Sequence, residues 1–467
     1  MFAQRYHRIV RFYNNNPSIE FILLALITLL ASLFRFYHLG TWSFWWDELN
    51  TVRDAVIFWD YDLLGRTPFR LLNYLMLSNF EINEWNARIM PAVIGIITIP
   101  ILYFPIRKIY GKDIALLSLF LLAISPWHIY WSQSARFYTI LLLFYTLALL
   151  IFYMAIEEDN PVYLIISMVL MGMAIVERFT SGLIVIVIGL YLIFLLSPYF
   201  GRPKGLNIKN LLLLLIPGLI SVVLIAPSFF TSITGFNANW INNNPFWVLA
   251  GVVYYIGLPV ICIGSVGAAY QVIKKKRVGL LLSLNAILPI VVITIISTFM
   301  YTANRYMFIT LTSWLILGAV AVKELLENVS GYGKLFSLGV VAILILSPLS
   351  EDMLYFRYQN GNRDDWKSAL NFVKQNKQPG DLVVSANPAI GDYYLGETTI
   401  SMAKIDLDSL VNSNKRIWFV EDFNVDEKWP RVHRWIRENA TLVGVFDVHL
   451  QARVFTLRVY LYESAKQ

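Results

Sequence analysis

Residues 84–111 read EWNARIMPAVIGIITIPILYFPIRKIYG, an apolar stretch with a basic end. The apolar part, 88–106, is long enough as a helix to cross roughly 30 Å of hydrocarbon. Arg107 and Lys108 follow directly, which is typical of the cytoplasmic end of a membrane helix. The segment therefore predicts a membrane span that enters from outside and ends inside.

The rest of the chain repeats this pattern. Of its 467 residues, 57% are hydrophobic and 15% are charged, and the mean hydropathy is +0.58, which indicates a membrane protein. A length rule gives about eleven spans. The predicted spans are 19–39, 88–106, 113–130, 137–156, 161–177, 180–198, 210–228, 247–272, 279–300, 306–323 and 335–350. The predicted fold class is a polytopic α-helical membrane protein.

Basic residues fall in alternate loops. They are Arg5, Arg8 and Arg11, then Arg107, Lys108 and Lys112, then Arg202, Lys204 and Lys209, and finally KKKR at 274–277. The positive-inside rule makes these loops cytoplasmic, and an odd number of spans then places the C-terminus outside. The net charge of +7 is thus explained without a nucleic-acid partner. Cys262 is the only cysteine, so the sequence offers no disulfide framework and no thiolate metal cluster.

The composition becomes polar after residue 350. The pattern predicts a helix over 365–375, strands at Leu382–Ser385 and in RIWFVED, a helix in KWPRVHRWIREN, and alternating strands over 441–463 with a turn near His449–Ala452. We therefore divide the chain into a transmembrane domain, 1–350, and an extracytoplasmic soluble α/β domain, 351–467.

The first outer loop carries an acidic pair in WWDELNT, namely Asp47 and Glu48. The simplest interpretation is that the two carboxylates solvate the exit of the first helix. Three tryptophans at 42, 45 and 46 instead favour a fixed position at the membrane interface. ELNTVRDAVIFW and TPFRLLNYLMLSNF, in the same loop, predict amphipathic helices on the bilayer.

Further polar residues are predicted at the same face. SPWHIYWSQSARFY contains His128, Gln133, Arg136 and Tyr138, YTANRYMF contains Arg305 and Tyr306, and VERFTSG contains Glu177 and Arg178. An arginine and a phenol near a helix start can bind phosphate together, although Arg136 could also reach lipid headgroups by snorkelling. A mutual ion pair is the simplest account of Glu177 and Arg178.

WWDELNT, residues 84–111 and SPWHIYWSQSARFY together resemble the membrane glycosyltransferases related to protein O-mannosyltransferases and aminoarabinose transferases, which share the C-type fold. The resemblance covers most of the first 160 residues and extends weakly to NRYMF and DWKSALNFVKQNKQPGDLVV. It implies a polyprenyl-phosphate sugar as donor, Asp47 as catalytic base, and Arg136 and Tyr138 beside the donor phosphate. Arg305, Tyr306 and Arg66 join the predicted phosphate-binding residues.

The sequence departs from the family at three points. Ser134 stands where relatives carry an acidic residue, Arg66-Thr67-Pro68 stands where many have His-Pro-Pro, and a proline after Arg305-Tyr306 is missing. These departures leave the sugar and the acceptor open. They also leave a divalent metal open, because His128, Asp47, Glu48 and Glu177 show no metal-ligand spacing.

The predicted function is an inverting glycosyl transfer at the outer face of the plasma membrane. A carboxylate would take the proton of an acceptor hydroxyl on a glycan, lipid or protein, while arginines stabilise the departing lipid phosphate. Glu48 would orient the acceptor or assist a metal. The alternatives are a multi-span transporter or lipid-linked-glycan flippase, which would place charges at mid-membrane, and a structural scaffold for the envelope.

Overall fold

The structure of the chain is a computed structural model. It describes residues 17–216, 218, 245–299, 301–329, 332–407, 415–450 and 454–463. Arg5, Arg8 and Arg11 lie outside these residues, as do most of the predicted span 210–228 and residues 451–452 of the predicted turn.

Helices account for most of the structure up to Arg357. They are α1 (Pro17–Phe36), α2 (Trp46–Val56), α3 (Pro68–Leu77), α4 (Glu84–Tyr110), α5 (Lys112–Ala123), α6 (Pro126–Ser132), α7 (Tyr138–Glu158), α8 (Pro161–Glu177), α9 (Leu183–Leu195), α10 (Pro245–Ile256), α11 (Leu258–Ile273), α12 (Arg277–Ile296), α13 (Leu311–Asn328) and α14 (Tyr332–Arg357). Short 3₁₀ segments cover Phe58–Asp60, Phe179–Gly182 and Asn304–Thr310.

Six helices in the described residues are long and apolar enough to cross a membrane, and up to eight spans result if each of two bent pairs counts as one. The sequence predicts about eleven spans by the length rule. The difference arises because α8 and α9 are shorter apolar helices and because the span 210–228 lies mostly outside the described residues. The membrane class is confirmed, whereas the number of crossings is not established.

The two bent pairs follow from local sequence. Helices α5 and α6 meet at 61°, where Ser125-Pro126 interrupts the run, and Pro126 is the first residue of α6. Helices α10 and α11 meet at 90° at Gly257, whose φ of +90° suits a residue without a Cβ. The first bend places His128 to Arg136 between two spans.

The loop between α1 and α4, which the sequence predicts to be the first outer loop, contains both helices predicted from its sequence, α2 and α3. Thr67 caps α3 by accepting the N–H of Arg70, and Pro68 begins the helix. Large apolar side chains of the loop remain exposed, among them Trp59, Leu63 and Phe80. Such a surface suits contact with lipid.

The C-terminal segment contains helices and one five-stranded sheet. Its elements are α15 (Trp366–Asn376), β1 (Leu382–Ser385), α16 (Pro388–Leu395), β2 (Ile400–Ser401), β3 (Ile417–Glu421), α17 (Val425–Lys428), α18 (Pro430–Asn439), β4 (Thr441–His449) and β5 (Val454–Tyr462). The strand order is β2-β1-β3-β5-β4, with β1 parallel to β2 and β3, and with β5 antiparallel to β3 and β4. The elements predicted after residue 365 are present.

Both faces of the sheet are covered, so β3 is buried along its whole length. Trp418 and Val420 pack with Trp366 of α15 on one face, while Phe419 packs with Ile436 of α18 on the other. The polar composition begins at residue 351, but α14 continues to Arg357 before the sheet segment starts. The division into domains 1–350 and 351–467 stays a prediction.

Candidate active site

Asp47 lies in the first turn of α2, at the end of the helix that favours a negative charge. Its side chain is 23% exposed, and its Oδ2 lies 3.5 Å from Nη2 of Arg305 and 3.8 Å from Nη2 of Arg136. Three segments that are far apart along the chain, around residues 47, 136 and 305, therefore meet at one carboxylate.

Arg136 is fixed by α2. Its Nη1 donates to the backbone oxygen of Asp47 at 2.9 Å and to Oγ1 of Thr51 at 2.7 Å. The side chain is only 13% exposed, so the guanidinium faces the protein and not lipid headgroups. Its Nη2 is the atom nearest to the carboxylate of Asp47, at 3.8 Å.

Two tyrosines flank these arginines. Tyr306 follows Arg305 in the 3₁₀ segment, and the guanidinium of Arg178 lies 4.4 Å from the centre of its ring. Tyr138 is the first residue of α7 and is buried against Trp131. In the described part of the chain, its hydroxyl has no hydrogen-bond partner.

A cleft with a volume of about 810 Å³ opens at Asp47 and Arg305. Arg136, Tyr138 and Tyr306 are not part of its lining, and Arg136 borders it through Asp47. The spanning part contributes Trp127, Tyr130, Trp131, Tyr255 and residues 301–305, and the first outer loop contributes residues 45–47. The C-terminal segment contributes residues 362–364, 366, 386–388, 390, 422–424, 428 and 455. The sheet domain is thus a wall of this cleft, a role that the sequence analysis missed.

Glu48, next to Asp47, points in another direction and has no exposed surface. Arg88 donates Nε and Nη2 to its two oxygens at 2.9 and 2.8 Å, and the N–H of Ala135 donates to Oε1 at 2.8 Å. Arg363 lies 3.5 Å from Oε2. Burial alone would raise the pKa of Glu48, but the two arginines together hold it below the ordinary value.

The same arginines fasten the surrounding backbone. Arg88 also donates to the carbonyl groups of residues 39, 42 and 43, and Arg363 donates to the carbonyl of Gln133 and to Oγ of Ser134. Sequence reasoning missed both residues. Arg88 left a signal, because it is the only charge in the predicted span 88–106. Arg363 left none.

Gln133 and His128, predicted as site candidates, are buried and lie outside the cleft lining. Gln133 donates to the carbonyls of Phe34, Arg35 and Tyr37, which satisfies the end of α1. His128 contacts Arg35, with Nδ1 2.6 Å from Nη2. These contacts hold α1 against the bend between α5 and α6.

Three other expectations differ from the structure. The expected ion pair between Glu177 and Arg178 is not among the ion pairs of the described residues. Instead, Glu177 accepts the N–H of Phe69 at 2.6 Å, and the guanidinium of Arg178 lies over the ring of Tyr306. Arg66 donates to the carbonyl of Trp59 at 2.8 Å and does not line the cleft. Trp42 is buried beneath Gly361 and Tyr355, not held at a membrane interface.

The described residues contain no group of three or more His, Cys, Asp or Glu side chains arranged to hold a metal ion. The possible divalent metal of the sequence analysis stays a prediction.

The chain resembles known proteins in sequence and in fold. Residues 70–229 match the model of the family described as dolichyl-phosphate-mannose-protein mannosyltransferase. No curated protein sequence matches the chain significantly.

Solved structures with the same fold include ArnT from Cupriavidus metallidurans bound to undecaprenyl phosphate, at 13% identity and a TM-score of 0.57, covering 95% of this chain and 98% of ArnT. The apo oligosaccharyltransferase of Archaeoglobus fulgidus matches at 13% identity and a TM-score of 0.60, covering 90% of this chain and 71% of the oligosaccharyltransferase. AglB from the same organism, in complex with an inhibitory peptide and a dolichol-phosphate, matches at 13% identity and a TM-score of 0.57, covering 93% of this chain and 74% of AglB. These likenesses establish the fold, and with the family match they confirm the resemblance found in the sequence.

Proposed function

We propose that the chain is an inverting glycosyltransferase, which moves a monosaccharide from a polyprenyl-phosphate carrier to an acceptor hydroxyl at the extracytoplasmic face of the plasma membrane. The observation that carries this proposal is the position of Asp47. Its carboxylate faces a large cleft and lies between two arginines next to the ends of membrane helices.

Asp47 is suited to act as the base. The distances of 3.5 and 3.8 Å to the two guanidinium groups exceed those of a good hydrogen bond, so the carboxylate oxygens keep the capacity to accept a proton from a hydroxyl. General base catalysis of this kind contributes typically about 10²–10⁴-fold. The acceptor oxygen then attacks the anomeric carbon as the bond to the lipid phosphate breaks, which inverts that centre.

The leaving phosphate would be stabilised by the cationic side of the site. Arg136 and Arg305 bring two positive charges against the one carboxylate of Asp47, and Arg178 lies behind Tyr306. This surplus of positive charge suits a phosphate monoester. The buried hydroxyl of Tyr138 is a further donor close to Arg305.

Glu48 has a different role in this proposal from the one that the sequence predicts. Because it is fully buried and bonded to Arg88, Arg363 and the backbone, it is a positioning residue and not a ligand for acceptor or metal. It fixes the start of α2 and so the orientation of Asp47. No step of the proposed reaction runs through a metal.

The direct test is sugar transfer from a polyprenyl-phosphate donor by the purified protein. A comparison of envelope glycans by mass spectrometry, with and without the gene, would identify the sugar and the acceptor. Loss of the protein without any change in glycans, together with an inactive purified enzyme, would contradict the proposal.

Substitution of Arg136 tests the phosphate site. Arg136→Ala should raise the donor KM by roughly tenfold or more, because a charge-assisted hydrogen bond is lost. The donor KM of Arg136→Lys should lie between that of Arg136→Ala and that of the wild type, since lysine keeps the charge but loses the planar two-point contact. Arg53→Ala, an exposed arginine of α2, is the matched control. Near-native donor KM values in both Arg136 variants would exclude the phosphate role.

The membrane topology can be tested by cysteine labelling. In a Cys262→Ser background, which carries no cysteine, a membrane-impermeant maleimide should label Asp426→Cys in intact cells. Lys275→Cys, in the basic loop, should react only after the membrane is disrupted. Both positions are exposed in the structure. The reverse pattern would place the cleft on the cytoplasmic side and contradict the proposed location.

A further inference from the structure

The ends of two neighbouring strands in the sheet domain face the cleft. Strands β1 and β3 are parallel neighbours that end at Ser385 and Glu421. The residues that follow them, 386–388 and 422–424, line the same cleft as Asp47. The carboxyl edge of the parallel part of the sheet is therefore directed at the reacting centre.

This edge is also where the direction of chain winding changes. The chain leaves β1, passes through α16 to β2 on one side, and then returns to β3 on the other side of β1. In open α/β sheets, ligands bind in the crevice outside the carboxyl ends of the strands at such a switch point. Here the crevice opens into the cleft of about 810 Å³.

We propose that this crevice binds the acceptor, and that the acceptor is a sugar residue of a glycan. The inference rests on the proposed glycosyl transfer and adds the class of its second substrate. The polar and aromatic side chains of the crevice are Asn387 after β1, Asp422, Phe423 and Asn424 after β3, Lys428 of α17 and Phe455 of β5.

The side chains in the crevice suit a carbohydrate. Asp422, Asn387 and Asn424 supply a carboxylate and two amides. The amide oxygen of Asn387 accepts the N–H of Ile390 at 3.4 Å, which leaves its amide N–H groups for sugar hydroxyls. Phe423 and Phe455 form a ring pair with centroids 4.8 Å apart, an apolar surface for the C–H face of a pyranose. Oδ1 of Asp422 accepts the N–H of Asn424 at 2.9 Å, which orders the loop. Partial burial raises the pKa of Asp422, as expected for a carboxyl group already shielded from water.

The other acceptor classes fit this wall less well. A lipid acceptor would require an apolar surface at the crevice. The aromatic residues 127, 131 and 255 line the cleft from the membrane-spanning part, whereas the sheet domain contributes the amides of Asn387 and Asn424. An extended peptide binds most readily to a free sheet edge. Strands β1 and β3 are interior strands with neighbours on both sides, and the edges are β2 and β4.

Saturation-transfer NMR on the detergent-solubilised full chain tests the inference without a donor. The probes are the methyl glycosides of mannose, glucose, galactose and N-acetylglucosamine. At least one should bind the wild type, and Asp422→Asn and Phe423→Leu should weaken that binding roughly tenfold or more, since each removes a direct contact. Asp426→Asn, an exposed carboxylate in the next helix, is the matched control and should bind normally. Melting temperatures report whether each variant is folded.

The absence of binding by all four glycosides would overturn the inference, as would equal binding by the crevice variants and the control. Binding of a serine- and threonine-containing peptide that depends on Asp422 and Phe423 would also overturn it, in favour of a protein acceptor. Turnover of a polyprenyl-phosphate donor that requires Asp47 is measured separately. If that turnover is present while glycoside binding is absent, the inference fails and the proposed function stands.

Discussion

Asp47→Asn is expected to lower sugar transfer by roughly 10²-fold or more while donor binding stays close to that of the wild type. Asparagine preserves the size of the side chain and can still accept a hydrogen bond from a neighbouring arginine, but it cannot take a proton. Because Arg136 is also held by Thr51 and by a backbone oxygen, loss of the carboxylate should leave the donor site assembled. The effect should therefore appear in kcat and not in the donor KM.

The measurement is the rate of transfer from a polyprenyl-phosphate donor by purified protein, with donor binding measured on the same sample. Asp60→Asn is the control, since Asp60 is an exposed carboxylate in the same outer loop. A surface substitution of this kind changes stability by about half a kcal/mol and leaves turnover alone. Wild-type turnover of Asp47→Asn would exclude Asp47 as the base and favour the interpretation in which the acidic pair only solvates the loop.

The two acidic residues show what sequence can and cannot predict about this site. WWDELNT predicts an interfacial acidic pair, and the resemblance to glycosyltransferases marks Asp47. Consecutive residues on a helix point about 100° apart, so only one of the two can face the cleft. Which one does so depends on how α2 packs against α3, the start of α4 and the segment before α7, and no local pattern contains that information.

The number of spans has a similar explanation. Apolar length predicts single spans at 113–130 and 247–272, but Pro126 and Gly257 bend both segments sharply. The breaking residues are visible in the sequence, yet a length rule joins the apolar runs on either side of them. The bends matter for function, because the first of them carries Trp127 and Trp131 to the wall of the cleft.

The sequence predicts the helices and strands of the sheet domain but not the contribution of this domain to the cleft. Tyr394 donates to Glu84 and accepts the N–H of Phe44, and the backbone oxygen of Asp364 accepts the hydroxyl of Ser43. These bonds join positions more than 300 residues apart, so spacing along the chain cannot reveal them. They attach the domain to the loop that carries Asp47.

Glu48→Gln is expected to destabilise the protein by about 3–5 kcal/mol, the typical cost of removing one partner of a buried ion pair. Glutamine keeps the shape but leaves Arg88 and Arg363 buried beside a neutral group. Because the pKa of Glu48 is lowered in the folded state, its stabilising effect is present above the ordinary carboxyl pKa and is lost only as pH falls through the lower folded value. The loss of stability caused by Glu48→Gln should therefore be the same at every pH in the neutral range.

The measurements are the melting temperature in detergent and limited proteolysis of the first outer loop, with the exposed Glu81→Gln as control. Glu48 joins α2 to α4, to the segment before α7 and, through Arg363, to the sheet domain, so its loss should release the loop before it unfolds the membrane helices. Cleavage between residues 40 and 60 should appear below the main melting transition. A variant that melts and resists protease like the wild type but transfers no sugar would instead place Glu48 in the chemistry itself, as the sequence first suggested.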